Sequence, residues 1–134
     1  MTLTTYVIRH NHRRLAELMR HIGAIRHDLS SGMHPGVLSV AVSTAETFSQ
    51  EVFRHMAREE RELYPLLDPE AARMLTGEHI EIQRLVTRVA DRGTAQNVVK
   101  LLDDLDELDL RVQAHLSHEE AALDSLEAPV ANSA

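Results

Sequence analysis

Apolar residues recur at spacings of three and four along nearly the whole chain, with no sustained alternation of the kind a half-buried strand shows. The pattern predicts an all-α chain. Turn and breaker residues divide it into four helices of similar length: 4–30 before Ser31-Gly32, 37–64 before Tyr64-Pro65, 68–92 before Gly93, and 95–126 before a polar tail. Asp68-Pro69-Glu70 reads as a helix start, with an acid at the N-cap, proline at the first helical position and a second acid in the first turn. Gly77 interrupts the third helix only weakly. Short connections favour antiparallel neighbours, so the expected architecture is an up-down-up-down four-helix bundle over residues 1–126, followed by a flexible tail at 127–134.

The apolar stripes of these helices carry polar residues. Helix 1 runs Ile8, His12, Leu15, Met19, Ile22, and helix 2 runs Ala41, Ala45, Phe48, Val52, His55, Glu59. Helix 3 runs Leu75, His79, Ile82, Val86, Val89, and helix 4 runs Val98, Leu101, Leu105, Leu108, Val112, His115, Glu119. Each series stays on one face of a helix, so four histidines and two glutamates are predicted to point inward. Because consecutive helices run in opposite directions, the starts of helices 1 and 3 lie beside the ends of helices 2 and 4. At 1.5 Å per residue, His12 and His79 lie roughly 12 and 16 Å from their helix starts, and the two His-Glu pairs roughly 8 to 16 Å from their helix ends. All six fall in one layer.

Composition narrows what that layer can be. The 134 residues, 43% of them hydrophobic, suffice for one modest core. There is no cysteine, which excludes disulfides, thiolate nucleophiles and sulfur-ligated zinc or iron–sulfur sites; any metal must be held by His, Asp and Glu. A net charge of −7 argues against a nucleic-acid surface. The start, MTLTTYVIRHNHRR, lacks the apolar run of a secretory signal, and no later run has the length of a membrane span, so the expected location is cytoplasmic.

A single histidine on an apolar face is ordinarily a hydrogen-bonded core residue. Four imidazoles and two carboxylates together are different, because each unpaired buried carboxylate costs several kcal/mol. A metal centre removes that cost. Imidazole and carboxylate suit iron, manganese and zinc, and six protein ligands exceed what one tetrahedral zinc accepts, which points to two ions with Glu59 and Glu119 as bridges.

The ordered set of a lone His12, His55 and Glu59 in HMAREERELYP, His79 in GEHIEI, and His115 and Glu119 in HLSHEEAAL resembles the hemerythrin-like, or HHE cation-binding, domain from about residue 8 to 124. The resemblance implies a non-haem di-iron centre with an oxo or hydroxo bridge, zinc and manganese being the lesser alternatives. It further implies that His12, His55, His79 and His115 are terminal ligands and that Glu59 and Glu119 span both irons. The chain departs from the oxygen-carrying members in two places. They have a second histidine one turn after the helix 3 ligand, where this chain has Gln83, and their last carboxylate comes five residues after its histidine. Glu120 has that later spacing, but it turns about 140° from His115 around the helix axis against about 40° for Glu119, so Glu119 is the expected ligand.

Losing a histidine leaves one iron with an open or water-filled position, the mark of a reactive site. Gln83, Tyr64 or His118 are the side chains placed to complete it. His10, His21 and His34 read as bystanders, Glu60 and Glu120 as surface acids, and Tyr6, Tyr64, Phe48 and Phe53 as packing residues. The expected function is a di-iron oxidoreductase reacting with dioxygen, peroxide or nitric oxide. A biosynthetic oxidase acting on a small organic substrate and a non-catalytic iron or oxygen sensor are the alternatives. Either a monomer or a homodimer is compatible with the sequence.

Overall fold

The computed structural model describes residues 3–31, 35–94 and 98–127, with side chains at 3–4, 29–42, 45 and 92–98 outside the described set. Four antiparallel helices, α1 (Leu3–Ser31), α2 (Pro35–Glu62), α3 (Pro69–Thr94) and α4 (Val98–Glu127), pack as a closed ring in which each touches the next and α4 returns to α1. The chain is an all-α, up-down-up-down bundle, as the apolar spacing predicts. The side chains of the expected core positions Ala41, Ala45 and Val98 lie outside the described set, as do Gly32, the bystander His34 and residues 128–134 altogether, and α3 runs on through Gly93 to Thr94, past the break expected there.

Helix ends follow local chemistry. α3 begins where Asp68 Oδ2 accepts from the backbone N–H of Glu70 at 3.2 Å and of Ala71 at 3.3 Å, satisfying two of the amides a helix start leaves bare. α2 stops at Glu62, two residues short of expectation, because Pro65 cannot donate to the helix ladder. The chain tightens there into a 3-10 turn, Tyr64–Leu66, with Leu66 N–H donating to the Leu63 carbonyl at 2.9 Å. That turn carries Tyr64 to the inside of the bundle. α4 includes Glu127, assigned above to the tail, where Arg9 of α1 reaches its carboxylate at 3.2 Å.

Every described stripe position is buried, and the apolar ones divide into two clusters. The larger lies toward the starts of α2 and α4 and includes Leu15, Met19, Ile22, Phe48, Val52, Ile82, Val86, Leu105 and Leu108. The smaller, Ile8, Leu63, Tyr64, Leu75 and Leu123, closes the opposite end. The four histidines and two glutamates occupy the gap between them, since along the chain each lies between a residue of one cluster and a residue of the other, Leu63 just past α2 serving for His55 and Glu59. Burying these clusters is the dominant favourable term in folding, so the polar layer is enclosed by packing that its own groups do not have to drive. Of the aromatics, Phe48 and Tyr64 are buried whereas Tyr6 and Phe53 are exposed.

Candidate metal centre

His12 from α1, His55 and Glu59 from α2, His79 from α3, and His115 and Glu119 from α4 are all buried and meet in that layer. The i,i+4 spacing stacks each glutamate one turn from its histidine on the same face, and the ring of helices brings the two His-Glu pairs opposite each other. All four imidazoles turn Nε2 inward. Glu59 Oε2 lies 3.1 Å from His12 Nε2 and 3.0 Å from His55 Nε2, while its other oxygen, Oε1, lies 3.1 Å from His79 Nε2. Glu119 Oε1 is 3.1 Å from His12 Nε2 and 3.0 Å from His115 Nε2. The rings pair accordingly, with centroids 4.9 Å apart for His12 and His55 and 4.6 Å for His79 and His115.

The result is two overlapping sets of four ligand atoms, each within 4.8 Å of one another: His12, His55, Glu59 and Glu119, and His79, His115, Glu59 and Glu119. Both carboxylates belong to both sets. The donor chemistry fits a pair of cations, because each set offers two imidazoles and two shared carboxylates, all oxygen or nitrogen ligands of intermediate hardness. A second observation supports the fit. His55 Nε2 and His115 Nε2 are buried and make no aligned hydrogen bond, although a carboxylate oxygen lies 3.0 Å from each. Neither nitrogen is aligned on the oxygen beside it, which is how groups converging on a common ion are disposed.

Electrostatics in the cation-free layer are those of a compressed ion cluster. Burial opposes the charged form of His12, but hydrogen bonds and attraction from Glu119 and Glu59 outweigh it and push the imidazole up to about 10. The same balance, with Glu78 added, takes His115 up to about 10. Glu59 is held well below the ordinary carboxylate range: burial pushes it upward, and its hydrogen-bond contacts with Glu119 and the surrounding histidines overcome that. In effect, protons on histidines stand in for the missing positive charge.

Behind the layer, the outer nitrogens meet acids. His12 Nδ1 is 2.8 Å from Glu120, His115 Nδ1 is 2.8 Å from Glu78, and His79 Nδ1 is 3.4 Å from Glu60. Glu120 is also paired with Arg9. Glu60 and Glu120, read from sequence as surface acids, therefore reach inward from partly exposed positions, and Glu78 was not singled out at all. The doublets in HMAREE and HLSHEE held the signal: the residue after an inward glutamate lies toward the next helix of the ring. His118 is 46% exposed and its Nδ1 pairs with Glu78 at 2.6 Å, outside both four-atom sets. Gln83 turns its amide toward Met56 Sδ at 3.7 Å and joins neither set. Tyr64 does reach the layer, with its hydroxyl 2.7 Å from both Glu119 Oε2 and His79 Nε2. Burial, followed by the nearby charges of Glu119 and Glu59, pushes the phenol upward and keeps it protonated. His10 and His21 are exposed.

Compared with known families, residues 3–128 match the family described as the hemerythrin HHE cation binding domain. No curated protein and no solved structure matches significantly. Among the described residues no helix is long and apolar enough to cross a membrane.

Proposed function

Because the chain belongs to the hemerythrin HHE cation-binding domain family, we propose that its buried His/Glu layer holds two iron ions and reacts with dioxygen, peroxide or nitric oxide. The observation that carries this reading is the sharing of Glu59 and Glu119 between two otherwise separate histidine pairs. A single ion needs one such group, whereas two groups with common carboxylates serve a bridged pair. Iron is preferred to zinc because a structural zinc site is closed by four ligands and has no use for a second, overlapping set. Iron, with its accessible redox states, supplies electron transfer to a small oxidant.

The protein's part is assigned residue by residue. His12 and His55 would hold one ion and His79 and His115 the other, with Glu59 and Glu119 offered to both. Glu120, Glu60 and Glu78 accept from the outer nitrogens of His12, His79 and His115, fixing each ring with Nε2 inward and raising its basicity. Tyr64 belongs to the His79/His115 half, where its hydroxyl sits as a fifth donor. Among the described residues the His12/His55 half has no such group, so the small reactant would engage that half. The apolar clusters above and below exclude bulk water and keep charged reductants away from the pair.

Metal analysis of protein from iron-replete cells tests the reading, followed by anaerobic reduction and exposure to air. About two irons per chain are expected, and the air-oxidised protein is expected to stay oxidised when oxygen is removed under vacuum. One tightly bound zinc with no iron, from cells supplied with both metals, would overturn the dinuclear reading. Recovery of the reduced form under vacuum without reductant would make the protein a reversible carrier instead.

A further inference from the structure

The outer nitrogens of the histidines form a ring of contacts that is broken at one place. Glu60 of α2 serves His79 of α3, Glu78 of α3 serves His115 of α4, and Glu120 of α4 serves His12 of α1. The remaining step, from α1 to His55 of α2, has no acid among the described residues. His55 Nδ1 is buried and has no hydrogen-bond partner, in a side chain only 4% exposed. Exchange of α1/α2 for α3/α4 maps His12 onto His79 and His55 onto His115. It also maps Asn11, the residue before His12, onto Glu78, the residue before His79. Asn11 thus stands where the fourth carboxylate belongs.

Beside that place lies a cavity of about 320 Å³ between α1 and α2, with His55 among the residues of its wall. Asn11, Arg14, Glu51, Arg54 and Arg58 surround it, and Leu15 gives it one apolar side. His55 turns Nε2 toward Glu59, so Nδ1, across the ring, faces away from the metal layer. Three arginines against one glutamate make this a positive site on a chain whose net charge is −7. Glu51 lies 3.3 Å from Arg14 and 3.9 Å from Arg54, leaving Arg58 and part of Arg54 uncommitted within the cavity. Arg58 has only a loose contact with Glu62, at 3.9 Å.

The geometry points to a binding site for a small organic monocarboxylate, whose oxygen accepts the proton of His55 Nδ1 as Glu78 accepts that of His115. Its second oxygen faces the guanidinium groups, a match of planar fork to planar fork, and its short carbon stub lies on Leu15. A monoanion is favoured over a dianion because Glu51 shares the cavity. The inference uses the metal reading only to put the proton on Nδ1, the tautomer left when Nε2 serves a metal. The carboxylate completes the set of acids that orient the four rings, so metal retention and carboxylate binding are linked and each strengthens the other.

Propionate is the probe, titrated by equilibrium dialysis at constant ionic strength into protein as purified, with its metal content measured in parallel. Failure of the metal reading therefore shows as absent metal, separately from absent propionate. One propionate per chain is expected. The pair Arg54→Gln and Arg58→Gln should weaken it by about tenfold or more, since charge-assisted hydrogen bonds are lost. Arg84→Gln, on the exposed face of α3, should leave it unchanged. Asn11→Glu should abolish propionate binding and increase metal retention, because the chain then supplies its own fourth acid. The inference is overturned by lack of saturable binding, by binding indifferent to the two arginines, by unaltered binding in Asn11→Glu, or by inorganic phosphate binding more tightly than propionate.

Discussion

The Tyr64 hydroxyl donates to Glu119 Oε2 across 2.7 Å, joining the 3-10 turn after α2 to a carboxylate of α4 inside the buried His/Glu layer. Tyr64→Phe removes the donor and leaves a buried carboxylate oxygen bare, which costs about 1–3 kcal/mol. The metal-free variant should therefore unfold at lower denaturant concentration than wild type. With iron loaded, Tyr64 would lie beside the His79/His115 half, and if the cation displaces the hydroxyl proton the wild type should show a visible phenolate-to-iron absorption that Tyr64→Phe lacks at equal iron content. Identical spectra would place Tyr64 outside the coordination sphere.

Ligands and bystanders should separate cleanly by face. His55→Ala and Glu119→Ala each remove an atom from one or both four-atom sets and should lose most bound iron. His10→Ala and His21→Ala, on exposed positions of α1, should keep it. Binding energy at a buried site adds to folding energy, so the first two variants should also show reduced thermal stabilisation by metal. Equal iron content in all four, read by elemental analysis, contradicts the assignment.

The acids behind the rings give a graded version of the same test. Glu78→Gln and Glu120→Gln keep the shape of the side chain but weaken the acceptor for His115 and His12, and loss of such outer partners costs roughly 10- to 100-fold in metal affinity. His118→Ala should cost far less, because His118 touches Glu78 and no atom of the layer. Competition with a chelator of known affinity measures each step.

These acids mark the boundary of what the sequence makes legible. A period of three to four locates four helices and the inward faces, and His12, His55, Glu59, His79, His115 and Glu119 are visible because polar residues on an apolar stripe are conspicuous. Glu60, Glu78 and Glu120 lie off the stripes, where an acid has every reason to be at the surface. Their roles depend on which neighbour each helix turns toward, and that is set by the packing of the ring. Tyr64 was placed by a different event, the stopping of α2 before Pro65, which redirects a residue the helical period assigns only by extrapolation. The orphaned Nδ1 of His55 has no sequence signal at all until its three counterparts are seen to be paired.

Acidity should act differently on the metal-free and metal-loaded proteins. In the metal-free layer His12 and His115 are pushed from 6.5 up to about 10 by the glutamates. A raised folded value means that the folded protein holds protons the unfolded chain has released, so their stabilisation is complete below about pH 6.5 and declines as pH rises toward 10. Glu59 works on the acid side: its lowered value stabilises the fold above the ordinary carboxylate range and is lost as pH falls. Metal-free protein should accordingly melt at progressively lower temperature between pH 6.5 and 9.5. With metal bound, the cations would replace those extra protons, each ring keeping only its Nδ1 proton, and the unfolded chain above its own value likewise keeps one proton per ring. The melting temperature should then be nearly flat over the same interval, and loading at pH 8 should release protons into a weakly buffered solution in proportion to the metal taken up. Parallel pH slopes with and without metal, followed by circular dichroism, would show that the histidines are not where the metal binds.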